Sequence, residues 1–165
     1  TIFGAISDEL DKDGIELISA IPWLQPLMPG ADFRLGPALN DEQRADVQYG
    51  HRIAAEISRL EIGQIAVVKN GTVLAVEGFE GTDKCLTRGG ELAGKGGGAV
   101  AVKVAKDGHD MRFDIPCIGE RTVQVCADSG VNVIAFEPGR TLVLDEAAVS
   151  EICRRRKISL TTLAP

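Results

Sequence analysis

The chain has 165 residues, 44% of them apolar and 25% charged, with 18 Lys and Arg against 24 Asp and Glu for a formal net charge of −6. A chain of this length buries about 70% of its unfolded surface and needs no disulfide or metal staple, while the negative balance repels polyanions and argues against nucleic acid as a partner. Cys85, Cys117, Cys126 and Cys153 form no CxxC pair and do not alternate with histidine as zinc ligands do, which predicts reduced, buried thiols; without a signal-peptide pattern or an apolar run of about 18 residues, a cytoplasmic protein is expected.

In chain order, Ile2, Phe3, Ile6 and Leu10 fall at helical spacing before Gly14, so a helix is predicted to end near Asp13. "IELISA" reads as a β-rich run, and Pro22, Pro26, Pro29 and Pro37 then exclude long regular structure. Asn40 and Gln43 make a capping box for a helix of about five turns whose apolar positions are Ala45, Tyr49, Ile53, Ile57 and Leu60, ending at Gly63. "QIAVV" and "VLAVE" flank Asn70 and Gly71 as a tight hairpin. A strand at 99–105, continuously apolar and therefore buried on both faces, follows. A helix in "IGERTVQVCADSG" ending at Gly130, strands in "VNVIAF" and "TLVL", a helix begun by Asp145 and a final strand in "ISLTTLA" complete the reading. The fold class expected is α/β, a mixed sheet with one antiparallel hairpin flanked by helices.

Several patterns have ordinary explanations. Gly89, Gly94 and Lys95 copy the spacing of a phosphate-binding loop, but Gly96 stands where Ser or Thr should be and a helix, not a strand, precedes them. His51 and His109 lack partners at catalytic or metal-binding offsets, and "RRRK" at 154–157 suits the negative end of a helix dipole.

"AVEGFEGTDKCL", residues 75–86, is different, because Glu77, Glu80 and Asp83 follow a strand and are separated by Gly78 and Gly81. The plain reading makes Glu77 a strand end, Glu80 a loop charge and Thr82 or Asp83 a helix cap. Glycines at a strand end before a helix also let a ligand approach the backbone. Carboxylates there would repel phosphate unless a divalent cation, Mg2+ or another, stood between, with Asp83 and Glu80 as its ligands. Lys103, Lys106 and Arg112, interleaved with Asp107, Asp110 and Asp114, would offset the charge of a phosphorylated substrate.

"IGQIAVVKNGTVLAVEGFEGTD", "GGAVAVKVAKDGHDMRFDIPCIGERT" and "SGVNVIAFEPGRTLVLD" occur in this order, and from about Asp41 to Leu144 the chain resembles the LpxI-type UDP-2,3-diacylglucosamine pyrophosphatases. The resemblance implies cleavage of the pyrophosphate of a lipid-linked sugar nucleotide to UMP and lipid X in lipid A biosynthesis, with a divalent cation. It makes Asp83 of the EGTD motif the catalytic residue, as metal ligand or as base for the attacking water. Gly81, Thr82 and Thr122 join Lys103, Lys106 and Arg112 in substrate binding. It further implies two domains, with residues 1–36 the remnant of the first plus a proline-rich linker and 37–165 the catalytic second. A homodimer in the intact protein, peripheral contact with the inner membrane surface and incomplete turnover by this chain alone are expected. The alternative is a non-catalytic module that binds a nucleotide or sugar phosphate and has no use for Asp83.

Overall fold

The computed structural model describes residues 2–105 and 115–163; Lys106, Arg112, His109 and the aspartates between them lie outside the described residues. The elements are α1 (Ile2–Lys12), α2 (Ile21–Leu24), a 3-10 turn (Gln25–Leu27), β1 (Arg34–Leu35), α3 (Asp41–Arg59), β2 (Ile65–Lys69), β3 (Thr72–Val76), α4 (Thr82–Leu92), β4 (Ala99–Lys103), β5 (Cys117–Ile118), α5 (Glu120–Ser129), β6 (Val131–Phe136), β7 (Leu142–Val143), α6 (Glu146–Arg156) and β8 (Ser159–Thr162). Six strands form one sheet in the order β1-β8-β6-β4-β2-β3, and β5 and β7 pair separately. The mixed α/β class is as expected: β4, β6 and β8 run parallel, whereas the β2–β3 hairpin and β1 join antiparallel.

This connectivity brings the exits of β3, β4, β6 and β8 to one end of the sheet, because two antiparallel pairings restore the direction of β4 in β3. On one face α3 packs over Ala66, Val68, Val100, Val102, Val133 and Ala135. The other face carries α4, α5 and α6 over Ile65, Val67, Ala101, Ile134 and Phe136. Residues alternate between the faces along each strand, so β4, at its first four residues buried throughout, has no polar side, as its apolar run predicts.

Local signals account for most boundaries. Asn40 Oδ1 accepts from the Gln43 amide at 2.8 Å and Gln43 Oε1 accepts from the Asn40 amide at 3.0 Å, the capping box that starts α3. Asn70 and Gly71 take φ of +50° and +70°, the left-handed pair a tight hairpin needs. Gly130, at φ +92°, closes α5, and Asp145 Oδ1 caps α6 by accepting from the Ala148 amide. The basic last turn of α6 is a solvated helix end: Arg154 pairs with Glu151 and Arg156 with Asp128.

Three expectations need correction. "IELISA" is not a strand; the Ile15 amide donates back to the Leu10 carbonyl at 3.0 Å, closing α1, and Ile15 and Ile18 are more than half exposed. The proline-rich stretch holds no long regular element, as expected, only short ones such as β1, whose two residues pair with Thr161 and Leu160 of β8. α3 ends at Arg59 with Glu61 in the left-handed position, where the Ile62 amide donates back to the Ile57 carbonyl. Gly63 instead lies against the β3 exit, where a Cβ would stand 2.1 Å from the Glu77 carbonyl oxygen. The buried stripe of α3 is Asp46, Val47, Gly50, Ala54, Ile57 and Ser58; Ala45 and Leu60 face outward.

Candidate active site at two helix N-termini

At the exit of β3 the Glu77 amide donates to the Ile65 carbonyl at 2.8 Å, extending the ladder by one residue. Glu77 does more than end its strand. Its Oε2 accepts from the Gln64 amide at 2.9 Å and its Oε1 from the Thr82 hydroxyl at 2.9 Å, tying the base of the hairpin to the start of α4. Between these anchors Phe79 projects fully into solvent. Glu80 pairs with Arg88, whose guanidinium also donates to the Val76 carbonyl at 3.0 Å.

α4 begins without a side-chain cap. Its N-cap is Gly81, at φ +83° and ψ 168°, a conformation open to glycine and strained for other residues. Neither Thr82 nor Asp83 is the cap. Asp83 is the second residue of the helix, and its Oδ2 accepts from Arg121 Nε at 2.9 Å across 38 residues of chain. Arg121 is in turn the second residue of α5, whose N-cap, Gly119, likewise supplies no side-chain hydrogen bond. The pair therefore draws two uncapped helix N-termini together. Each presents first-turn amides that no side chain among the described residues satisfies, and each carries roughly half a positive charge from the helix dipole. Among the described residues nothing lies within 4 Å of where a Cβ would stand on Gly78 or Gly81, so backbone can be approached there. Paired amide ends capped by glycine, the Gly81 cap open and the Gly119 cap in contact with Leu144, are suited to the oxygens of a phosphate or diphosphate.

Lys103 belongs to the same end and face. It stands opposite Ile65 and Phe136 in the ladders, both of the core under α4 and α5, and its Nζ donates to the Cys117 carbonyl at 3.2 Å, just before α5. Thr122 sits half-buried in the first turn of α5. Gly81, Thr82, Asp83, Lys103 and Thr122 thus gather where α4 and α5 begin, while Lys106 and Arg112 lie outside the described residues.

Arg121 escaped the sequence reading. Its signal, a basic residue in the first turn of a helix where the dipole disfavours it, was present in "GERT". As to a metal, Asp83 Oδ1 has no protein partner among the described residues, so one carboxylate oxygen is held by Arg121 and the other can serve as a ligand. Glu80 is already engaged by Arg88, and no cluster of three His, Cys, Asp or Glu donors occurs among the described residues. That suits magnesium, which takes one or two carboxylates and leaves its other positions to water and phosphate, better than a metal needing a full protein cage. Beneath the pair, burial and then the negative charge of Asp83 push the Cys126 thiol far up, leaving it an inert part of the floor.

The chain is 38% identical over 152 residues to the UDP-2,3-diacylglucosamine pyrophosphatase LpxI of Caulobacter vibrioides, an alignment covering 87% of this chain and 54% of that protein. The chain thus spans about half the length of the curated relative it matches. The model of the LpxI C-terminal domain matches residues 34–161, from β1 to the third residue of β8, and this chain belongs to that family.

Proposed function

We propose that this chain carries the catalytic half of a UDP-2,3-diacylglucosamine pyrophosphatase, which hydrolyses the phosphoanhydride to UMP and lipid X in lipid A biosynthesis. The observation that supports this most directly is the Asp83–Arg121 pair holding two glycine-capped helix N-termini side by side. Their amides receive the diphosphate oxygens, and Lys103 offsets part of the remaining charge. Thr82 and Thr122, in the first turns, position the same group. Arg121 fixes the rotamer of Asp83 so that Oδ1 faces the bound diphosphate. There Asp83 accepts the proton of the attacking water, whose oxygen bonds to one phosphorus as the bridging P–O bond breaks and the freed phosphate leaves; in the alternative role its carboxylate would hold a divalent cation. A bound Mg2+ would supply charge neutralisation of the phosphate oxygens, with Asp83 as its protein ligand.

The remaining half of the relative's length is taken to complete the substrate site, so that turnover by these 165 residues alone is incomplete. Homodimerisation of the longer protein, a cytoplasmic location and peripheral contact with the inner membrane belong to the same proposal, and the fully exposed Phe79 marks where the acyl chains would approach. No helix among the described residues is long and apolar enough to cross a membrane.

The test is phosphorus NMR of UDP-2,3-diacylglucosamine with the longest native form of the protein. Asp83→Asn is expected to lower kcat by about 10²-fold or more, and Arg121→Ala by about tenfold through loss of a charge-assisted bond. Chelator is expected to abolish turnover in the wild type. Near-normal rates in Asp83→Asn would defeat the site assignment, and undiminished rates in chelator would remove the metal. Ligand binding with no UMP formed under any condition would favour the non-catalytic module.

A further inference from the structure

On the face opposite Asp83, α3 and the β1–β8 edge line a half-open pocket of about 640 Å³, within the range of sites for small organic ligands. Its lining comes from four separate segments: Asp32 and Arg34, Leu39, one side of α3 with Arg44 and His51, and Thr161 to Leu163. It lies at the exit of β8, and ligands in open α/β sheets collect at strand exits. The Asp83 site lies on the far side. From β3 to β8 the sheet order has four steps, roughly 19 Å at the usual strand spacing, and the sheet itself stands between the two faces.

The chemistry of the lining is mixed in a definite way. Arg34 is exposed and has no ion-pair partner among the described residues, whereas Arg44 is anchored to Asp41 and to the Leu39 carbonyl. Two guanidiniums would take a phosphate monoester. A bare inorganic phosphate would gain nothing from Asp32 and would be repelled by it. A carboxylate is, however, the usual acceptor for a ribose diol. Leu39, Val47 and Leu163 supply an apolar wall for a flat ring, and Gln48 and His51 supply donors and acceptors for its edge.

We propose that this cavity is a second, non-catalytic site for a nucleoside monophosphate, with the phosphate on Arg34 and Arg44, the ribose on Asp32 and the base against Leu39, Val47 and Leu163. UMP is the natural probe, being the nucleotide product under the function proposed above; the cavity argument itself does not need that reading.

The experiment titrates UMP, uridine and inorganic phosphate into the 165-residue chain by amide NMR and calorimetry. UMP is expected to shift Arg34, Gln48, His51 and Leu163, and to bind about tenfold or more weaker in Arg34→Gln. Asp83→Asn is expected to leave the UMP-induced shifts of Arg34, Gln48, His51 and Leu163 in place. Phosphate binding as tight as UMP would overturn the nucleoside assignment, and no UMP binding at millimolar concentration would overturn the site. UMP binding lost in Asp83→Asn but kept in Arg34→Gln would place the nucleotide at the helix N-termini and overturn it as well. Hydrolysis measured separately in the Arg34→Gln protein distinguishes failure here from failure of the catalytic proposal, since catalysis at Asp83 is expected to persist without added UMP.

Discussion

Asp46 shows how much one buried carboxylate can organise. It is 5% exposed on α3, and its two oxygens accept from the Asn70 and Gly71 amides at 2.8 and 2.7 Å. The hairpin turn is thereby fixed to the helix across the sheet, and the β2–β3 register with it. Replacing Asp46 with Ala removes two charge-assisted bonds at once, so a loss of about 2 kcal/mol in chemical denaturation is expected. Asp46→Asn is expected to keep about half of that, because an amide offers one acceptor where two are used. Hydrogen exchange at Asn70 and Gly71 should quicken in both variants; unchanged exchange would show that the turn holds itself. At this scale the site was legible only where its residues are contiguous. Asp83 and its glycines stand together in "EGFEGTD", whereas the pairing with Arg121, 38 residues away, exists only once α4 and α5 pack. The cavity was hidden for the same reason, its lining being scattered from Asp32 to Leu163.

Elements defined by end signals were readable, and those defined by contact were less so. The Asn40 capping box, the Asn70-Gly71 turn and the Gly130 stop all act within a few residues and so appear in the sequence as they do in the fold. The buried stripe of α3 did not, because the helix approaches the sheet through Gly50 and Ala54, small residues that give no hydrophobic signal. Nor did β5, two residues long. The same small-residue packing sets α4. Gly89 lies on Val67, and a Cβ on Gly90 would stand 2.2 Å from the Ser129 carbonyl oxygen. That oxygen is backbone and cannot rotate away. Gly90→Ala is therefore expected to destabilise by about 2 kcal/mol, even though alanine favours helix over glycine by about 1 kcal/mol. Gly96→Ala, with nothing within 4 Å of its Cβ position, is the control and should change stability by no more than a few tenths of a kcal/mol in a urea titration. Equal effects at the two positions would mean that α4 tolerates displacement.

The whole molecule holds its thiols under the helices of one face, and this gives its stability a sign in alkali. Cys85, Cys126 and Cys153 are fully buried, and no disulfide joins the four cysteines among the described residues. Burial pushes Cys85 up to about 12 and Cys153 up to about 11, against an ordinary value of 9.0, and raises Cys126 still further. Above pH 9 the unfolded chain gives up these protons while the folded chain keeps them, so unfolding releases protons and rising pH favours it. The stabilisation is complete below pH 9 and is lost as pH climbs through the folded values. Each thiol contributes up to about 1.4 kcal/mol per pH unit to that slope. Denaturation midpoints measured from pH 8 to 11 are expected to fall in the wild type and to fall less steeply in Cys153→Ala, whatever the absolute stability of that variant. Identical slopes would mean that the Cys153 thiol ionises alike in both states. Alkylation gives an independent reading: at pH 8 the half-buried Cys117 should react first, and the other three only at the rate at which the helices leave the sheet. If all four were modified together in the native protein, α4, α5 and α6 would be opening as a unit and the Asp83–Arg121 pair would open with them.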